Sequence, residues 1–199
     1  MKRWIAVAIW LVSLMAAPAR ADDSSTERAR VALGFRNARV PTLDLNQIVT
    51  TVPIGIRWWF GQHKLGLDLG TGYGMHKDES SGENLNAWNL DAGIPWALKS
   101  WDRVDVILRP GVNYTQQDGI EYQFVFPSAS TSKVTDRIVT GTAEIEVEVF
   151  PFQNVSVSAS YGIGVVNVNP GEAGVKTTTD FGTFGSNFTS LGFHVYLWK

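Results

Sequence analysis

From about residue 29 to the C-terminus, apolar and polar side chains alternate with a period of two. That spacing sends neighbours to opposite faces of a β-strand. Val52, Ile54, Ile56, Trp58 and Phe60 share one side, and Thr51, Pro53, Gly55, Arg57 and Trp59 the other. Leu65, Leu67, Leu69, Thr71, Tyr73 and Met75 oppose Gly66, Asp68, Gly70, Gly72 and Gly74. Trp88, Leu90, Ala92, Ile94 and Trp96 oppose Asn89, Asp91, Gly93 and Pro95. Ala143, Ile145, Val147 and Val149 alternate with Thr142, Glu144, Glu146 and Glu148. Val155 to Ile163 sets apolar residues against Ser156, Ser158, Ser160 and Gly162, and Leu191 to Leu197 sets them against Gly192, His194 and Tyr196. Two noisier segments, near 29–38 and 103–114, bring the expected strands to eight; Ile107 interrupts the polar face of the latter.

The two faces differ in size as well as polarity. The polar one is mostly Gly, Ser and charge; the apolar one is bulky and aromatic. A closed barrel with small polar groups inside and large apolar groups outside is suited to lipid, whereas a soluble ligand-carrying barrel has an apolar lumen. Each segment is about 10 residues, long enough to cross the hydrocarbon when tilted. Connections alternate in length: 61–63, 97–102 and 151–154 are short, while 39–48, 76–86, 115–135 and 168–187 are long. Tight turns at one end and long loops at the other fit the same architecture. The expected fold is therefore an all-β, eight-stranded, antiparallel, up-and-down transmembrane barrel. Aromatics gather at the short-turn end, where Trp58, Trp96, Trp101, Phe150 and Trp198 are expected to mark the membrane–water boundary.

The N-terminus breaks the alternation. Lys2 and Arg3 precede an apolar stretch from Trp4 to Ala17, then Ala19-Arg20-Ala21 and the polar Asp22-Asp23-Ser24-Ser25. This is the order of a secretory signal peptide. Residues 1–21 are expected to be a cleaved leader and 22–199 the barrel. Beyond the leader no apolar run approaches the roughly 18–20 residues a spanning helix needs. The formal net charge of −2 gives no reason to expect a nucleic-acid partner, and with no Cys neither a thiolate metal site nor a disulfide can form.

The chain resembles the small eight-stranded outer-membrane proteins of the OmpA transmembrane domain and OmpX type, over the whole segment after the leader. The most specific piece is Leu191-Gly192-Phe193-His194-Val195-Tyr196-Leu197-Trp198. In that family such a terminal strand resembles the signal read by the barrel-assembly machinery. Here the alternating face ends at Leu197, with Trp198 one place on and Lys199 after it. The resemblance implies a Gram-negative outer-membrane location and outer-membrane lipid as surroundings. It does not bring a wall-anchoring role, since no peptidoglycan-binding domain follows.

Inward charges must be paired in a narrow barrel. Counting outward from the short turns brings Arg57 near Asp68, Asp91 near Arg109, and Glu144, Glu146 and Glu148 opposite Ser160, Ser158 and Ser156. Asp105 joins the same face. These residues are expected to form an internal polar network, the surplus carboxyls being protonated, hydrated or paired with Arg36 or His194. Such a network is either a structural plug or a narrow ion-conducting path. Leu67-Asp68-Leu69-Gly70-Thr71-Gly72-Tyr73-Gly74 reads like a nucleotide-binding glycine loop, but no amphipathic helix follows and the alternation runs through it. No cofactor is expected. A lipid A hydrolase-like enzyme is the third reading. It needs a Ser beside a His and an acid, yet Ser190 lies about 13 Å along the strand from His194. Binding is expected through loops 115–135 and 168–187, where Tyr122, Phe124, Phe126, Phe181 and Phe184 lie, part of 120–126 being an alternative extension of the fifth strand above the membrane.

Overall fold

A computed structural model describes residues 30–38, 53–60, 63–77, 79, 82–125, 128–172, 174–182 and 190–198, without the side chains of 37, 38, 120–132, 190 and 198. The expected leader at 1–21 lies outside the described residues. Ten strands occur among the described residues: β1 (Val31–Ala38), β2 (Ile54–Phe60), β3 (Leu65–Lys77), β4 (Asn84–Gly93), β5 (Trp96–Ser100), β6 (Val104–Val125), β7 (Ser128–Phe152), β8 (Val155–Asn169), β9 (Thr178–Gly182) and β10 (Ser190–Trp198). They make eight staves. β5 continues β4 past Ile94-Pro95, because both pair with β3 and β6. β9 and β10 likewise share β8 as a neighbour. All ladders are antiparallel, and β10 pairs with both β8 and β1, so the sheet closes on itself. The fold is an all-β closed eight-stranded barrel.

Pro95 explains the break within the fourth stave. Proline has no N–H to give a ladder. Its carbonyl still accepts from Gly66 N (2.8 Å), and Ile94 N donates to the Pro110 carbonyl (2.9 Å), so the wall stays sealed.

Burial is inverted relative to a soluble protein. Arg57 and Glu148 are 1% and 0% exposed, while Leu69 is 53% and Ile54 70% exposed. The outward run Leu65 to Met75, at roughly 3.3 Å per residue and about 40° of tilt, rises about 25 Å, the height of a lipid-facing belt.

The segment expected as a loop at 115–135 is not one. β6 and β7 are 22 and 25 residues long and pair from Val104↔Val149 to Val125↔Ser128. β4 leaves β6 at Gln117, and β8 leaves β7 at Arg137. Beyond those points the hairpin continues as a two-stranded ribbon. Its β-branched and aromatic residues Ile120, Tyr122, Phe124, Val125, Thr131, Val134 and Thr135, with no Pro in it before 127, favour strand over loop. The expected loop at 168–187 also contains a strand, β9.

Candidate functional site

The candidate site is the lumen, built mainly from β1, β2, β3, β4, β6, β7, β8 and β10. Arg57 on β2 is its hub. It stands opposite Asp68 in register and grips that carboxylate with two bonds, Nε to Oδ1 (2.8 Å) and Nη2 to Oδ2 (2.9 Å). Nη1 reaches across the lumen to Glu146 (2.9 Å) and Glu148 (3.0 Å) of β7. A guanidinium suits this task because its donors lie in one rigid plane, which allows paired bonds to a carboxylate.

Arg109 on β6 is the second centre. Its Nε donates to Asp68 (2.7 Å), its Nη2 to Asp91, and its Nη1 lies 3.9 Å from Glu144. Arg36 on β1 pairs with Glu144 and also donates to Ser160 Oγ (2.9 Å). Asp105 is buried on the same face. In all, three guanidinium groups meet the five carboxylates of Asp68, Asp91, Glu144, Glu146 and Glu148 among the described residues, and Asp105 is a sixth carboxylate on the same face.

Two register expectations are corrected. Asp91 does not stand opposite Arg109 but opposite Asn113, because the turn falls at 101–103 and β5 lengthens the stave. Arg109 reaches Asp91 by laying its guanidinium over Gly93, where any Cβ would collide with it. Glu144, Glu146 and Glu148 stand opposite Gly162, Ser160 and Ser158, two places from the expected serines, because β7 runs on to Phe152 and the turn is only Gln153-Asn154. The side chains nonetheless lean diagonally, so Ser160 donates to Glu144 and Ser156 to Glu148.

The short-turn end of the lumen is closed by an apolar floor of Ala32, Trp59, Ile107, Phe150 and Tyr196. Phe150 is therefore not a boundary aromatic. It is 7% exposed and packs against Tyr196 with ring centroids 5.5 Å apart. The physical reason is parity: Phe150 follows Glu148 by two and shares its inward face. Trp58, Trp96 and Trp101 are 50%, 54% and 40% exposed on the outer wall. The side chain of Trp198 lies outside the described residues. Floor and network are joined, since Tyr196 donates to Glu148 (2.9 Å) and accepts from Trp59 Nε1 (3.2 Å), while the Arg57 guanidinium lies 5.7 Å from the Trp59 ring centre.

Above the network the wall carries Asn89, Asn113, Thr115 and Thr140, all buried, and then Leu85, Ala87, Ile138 and Val166. Asn89 Oδ1, Asn113 Nδ2 and Thr140 Oγ1 have no hydrogen-bond partner among the described residues. A cavity of about 30 Å³ touches Arg36, Arg57, Asp68, Asp91 and His194 beside Gly34, Gly55 and Gly70.

A Ser, a His and a Glu do meet here, through a serine the sequence did not pair with His194. Ser156 Oγ lies 3.5 Å from His194 Nδ1. The arrangement is not a relay. Glu148 Oε1 is the common point, accepting from Ser156 and Tyr196 and lying 3.3 Å from the same His194 nitrogen. A catalytic His stands between serine and acid on two different nitrogens, and Ser156 is fully buried.

Strands, closure and stave count decide the architecture. The chain is a small closed eight-stranded barrel. No protein-family model and no curated protein sequence matches it. Among solved structures it is similar to Ail, the attachment invasion locus protein of Yersinia pestis (14% identity, 83% of this chain and 93% of that one, TM-score 0.39). One structure of that protein is a complex with the heparin analogue sucrose octasulfate. The N-terminal β-barrel domain of Pseudomonas aeruginosa OprF is similar at 12% identity (84% and 95% covered, TM-score 0.32). At these values the likeness adds nothing to what the strand order establishes, and residue roles do not transfer.

Proposed function

We propose that the chain is a bacterial outer-membrane β-barrel, directed there by the leader at 1–21 and assembled through its C-terminal strand. Its role in this reading is structural or surface-interacting, with a filled lumen and no catalysis. The observation that carries it is the inverted burial: charges sealed inside, Ile, Leu and aromatics exposed around the outside. In water that apolar surface far exceeds what a soluble monomer exposes as one patch; against acyl chains it costs nothing. Heat-modifiability tests the reading. The fractionated membrane protein is expected to run faster on a gel unboiled than boiled, and recovery in the soluble periplasmic fraction would refute it.

The filled-lumen reading is supported by the Trp59–Ile107–Phe150–Tyr196 floor and by the fit of eight strands around side chains alone. The surplus of carboxylates favours a second reading, a narrow cation path. Planar-bilayer recording separates them. A silent trace is expected; a steady conductance abolished by Glu146→Gln would establish the path instead. The absence of catalysis is argued from Ser156, whose proton is already committed to Glu148 in a sealed site. A mass change in lipid A on expression would overturn it. Contact with an extracellular partner is assigned to the connections 115–135, where β6 and β7 form the ribbon, and 168–187, the long ones opposite the short turns.

A further inference from the structure

The two ends of the barrel differ in charge. Among the described side chains, the short-turn rim carries Arg30, Lys64, Lys99 and Arg103 against the single acid Asp102. The opposite end carries Lys77, Lys133, Arg137 and Lys176 against Glu79, Glu83, Asp118, Asp136, Glu172 and Asp180. One rim is therefore net positive and the other net negative.

The basic rim is also an arc. Arg30 O accepts from Trp59 N (2.8 Å), Lys64 O accepts from Ala97 N (3.0 Å), and Arg103 O accepts from Phe150 N (2.8 Å). These bonds tie the start of β1, the β2–β3 turn, β5 and the β5–β6 turn into one continuous stretch of the circumference. The remaining described turn, Gln153-Asn154, is uncharged. All four cations are exposed, and Arg30, Lys64 and Lys99 make no ion pair among the described residues. Arg103 meets Asp102 only at 3.8 Å, in open solvent. Just inside this arc lie outward Trp58, Phe60, Leu65, Trp96, Leu98 and Trp101. Lys99 Nζ sits 5.9 Å from the Trp101 ring centre.

From this we infer that the arc is a binding surface for anionic phospholipid in the leaflet on the short-turn side. The headgroup phosphates would lie on the four cations and the acyl chains along Leu65, Leu98 and the tryptophans. The inference rests on the membrane-barrel reading. Its occupant follows from charge complementarity and position, because cations bordering a lipid-facing belt meet headgroups before anything else.

The test uses the full chain refolded into vesicles of an equimolar mixture of phosphatidylcholine and phosphatidylglycerol. One lipid at a time carries bromine on its acyl chains, and tryptophan fluorescence reports its proximity. Brominated phosphatidylglycerol is expected to quench more strongly than brominated phosphatidylcholine, corresponding to a local enrichment of roughly threefold or more. The difference should close in about 1 M salt, where charge is screened within a few ångströms, and in the variant combining Arg30→Gln, Lys64→Gln, Lys99→Gln and Arg103→Gln. The salt arm needs no variant, so a folding defect in the fourfold change leaves the test intact. Equal quenching by both lipids, or a preference unmoved by salt, overturns the inference while leaving the barrel reading standing. Absence of a heat-modifiable band in these vesicles removes the barrel reading itself, and this inference falls with it.

Discussion

The two faces of β7 have the same backbone, the same ladders and opposite chemistry. Inward, Glu144, Glu146 and Glu148 are each tied to an arginine within the barrel. Outward, Ile145 and Val149 are 47% and 39% exposed and make no specific polar contact. The inner face is a set of mutually dependent partners, where removing one strands several. The outer face needs only to be apolar. A substitution's cost should therefore follow identity on the inside and hydrophobicity on the outside.

The comparison breaks most visibly at Arg57. Arg57→Leu deprives Asp68, Glu146 and Glu148 of their shared donor, and breaking a buried pair costs about 3–5 kcal/mol. We expect the heat-modifiable band to be lost, or urea unfolding in micelles to move down by at least that amount. Leu69→Arg on the outer wall comes next, at about 2–4 kcal/mol near the belt's centre. Leu69→Ile should stay within about 0.5 kcal/mol in the same titration, as surface changes do; a large loss there would mean the outer wall is packed against something specific. Glu146→Gln should be milder than Arg57→Leu, at about 1–3 kcal/mol, because it keeps the shape and removes one member of an acid surplus.

A smaller effect than at Arg57 or Glu146 belongs above the belt. Asp118 accepts from Thr135 Oγ (2.8 Å) and Asn86 N (3.0 Å) and pairs with Lys133 (2.8 Å), which also donates to the Asn84 carbonyl. Burial pushes this carboxyl up, but the bonds from Lys133, Asn86 and Thr135 outweigh it and hold it below its ordinary value. Its bracing is therefore fully present above the ordinary carboxylate range and lost as pH falls through the lowered value. Asp118→Asn should cost about 0.2–1 kcal/mol, and a spin label at Ser130 should become more mobile at neutral pH in the variant and on acidification in the parent chain.

The stave count and the inward sense of the small polar residues were legible because a period of two survives any register. The Arg57–Asp68 pairing was legible as well, since the β2–β3 ladder keeps one register from Ile54↔Thr71 to Phe60↔Leu65. Counting failed where the turn was misplaced. The turns fall at 101–103 and 153–154, later than the short connections 97–102 and 151–154 suggest, which moves Asp91 from Arg109 to Asn113 and each Glu by two places, and nothing in local composition fixes how far. Phe150 was misplaced by its type, although its parity with Glu148 pointed inward. The floor residues Trp59, Ile107 and Tyr196 were on the polar face by the same parity and carried no polar signal of their own. The Glu148–Ser156–His194 meeting joins three strands, which strand-by-strand reading cannot assemble.

The long β6–β7 hairpin bears on the order of assembly. Each of its rungs joins residues close along the chain, from Val125↔Ser128 downward, whereas the seam between β1 and β10 joins Val31 to Trp198. Local pairings form before distant ones because less chain entropy is lost. We expect the hairpin to zip early from its tip and the seam to shut last. Pulse-labelled hydrogen exchange during refolding into micelles would show protection at 104–152 before 31–38, and the reverse order would rule this sequence out.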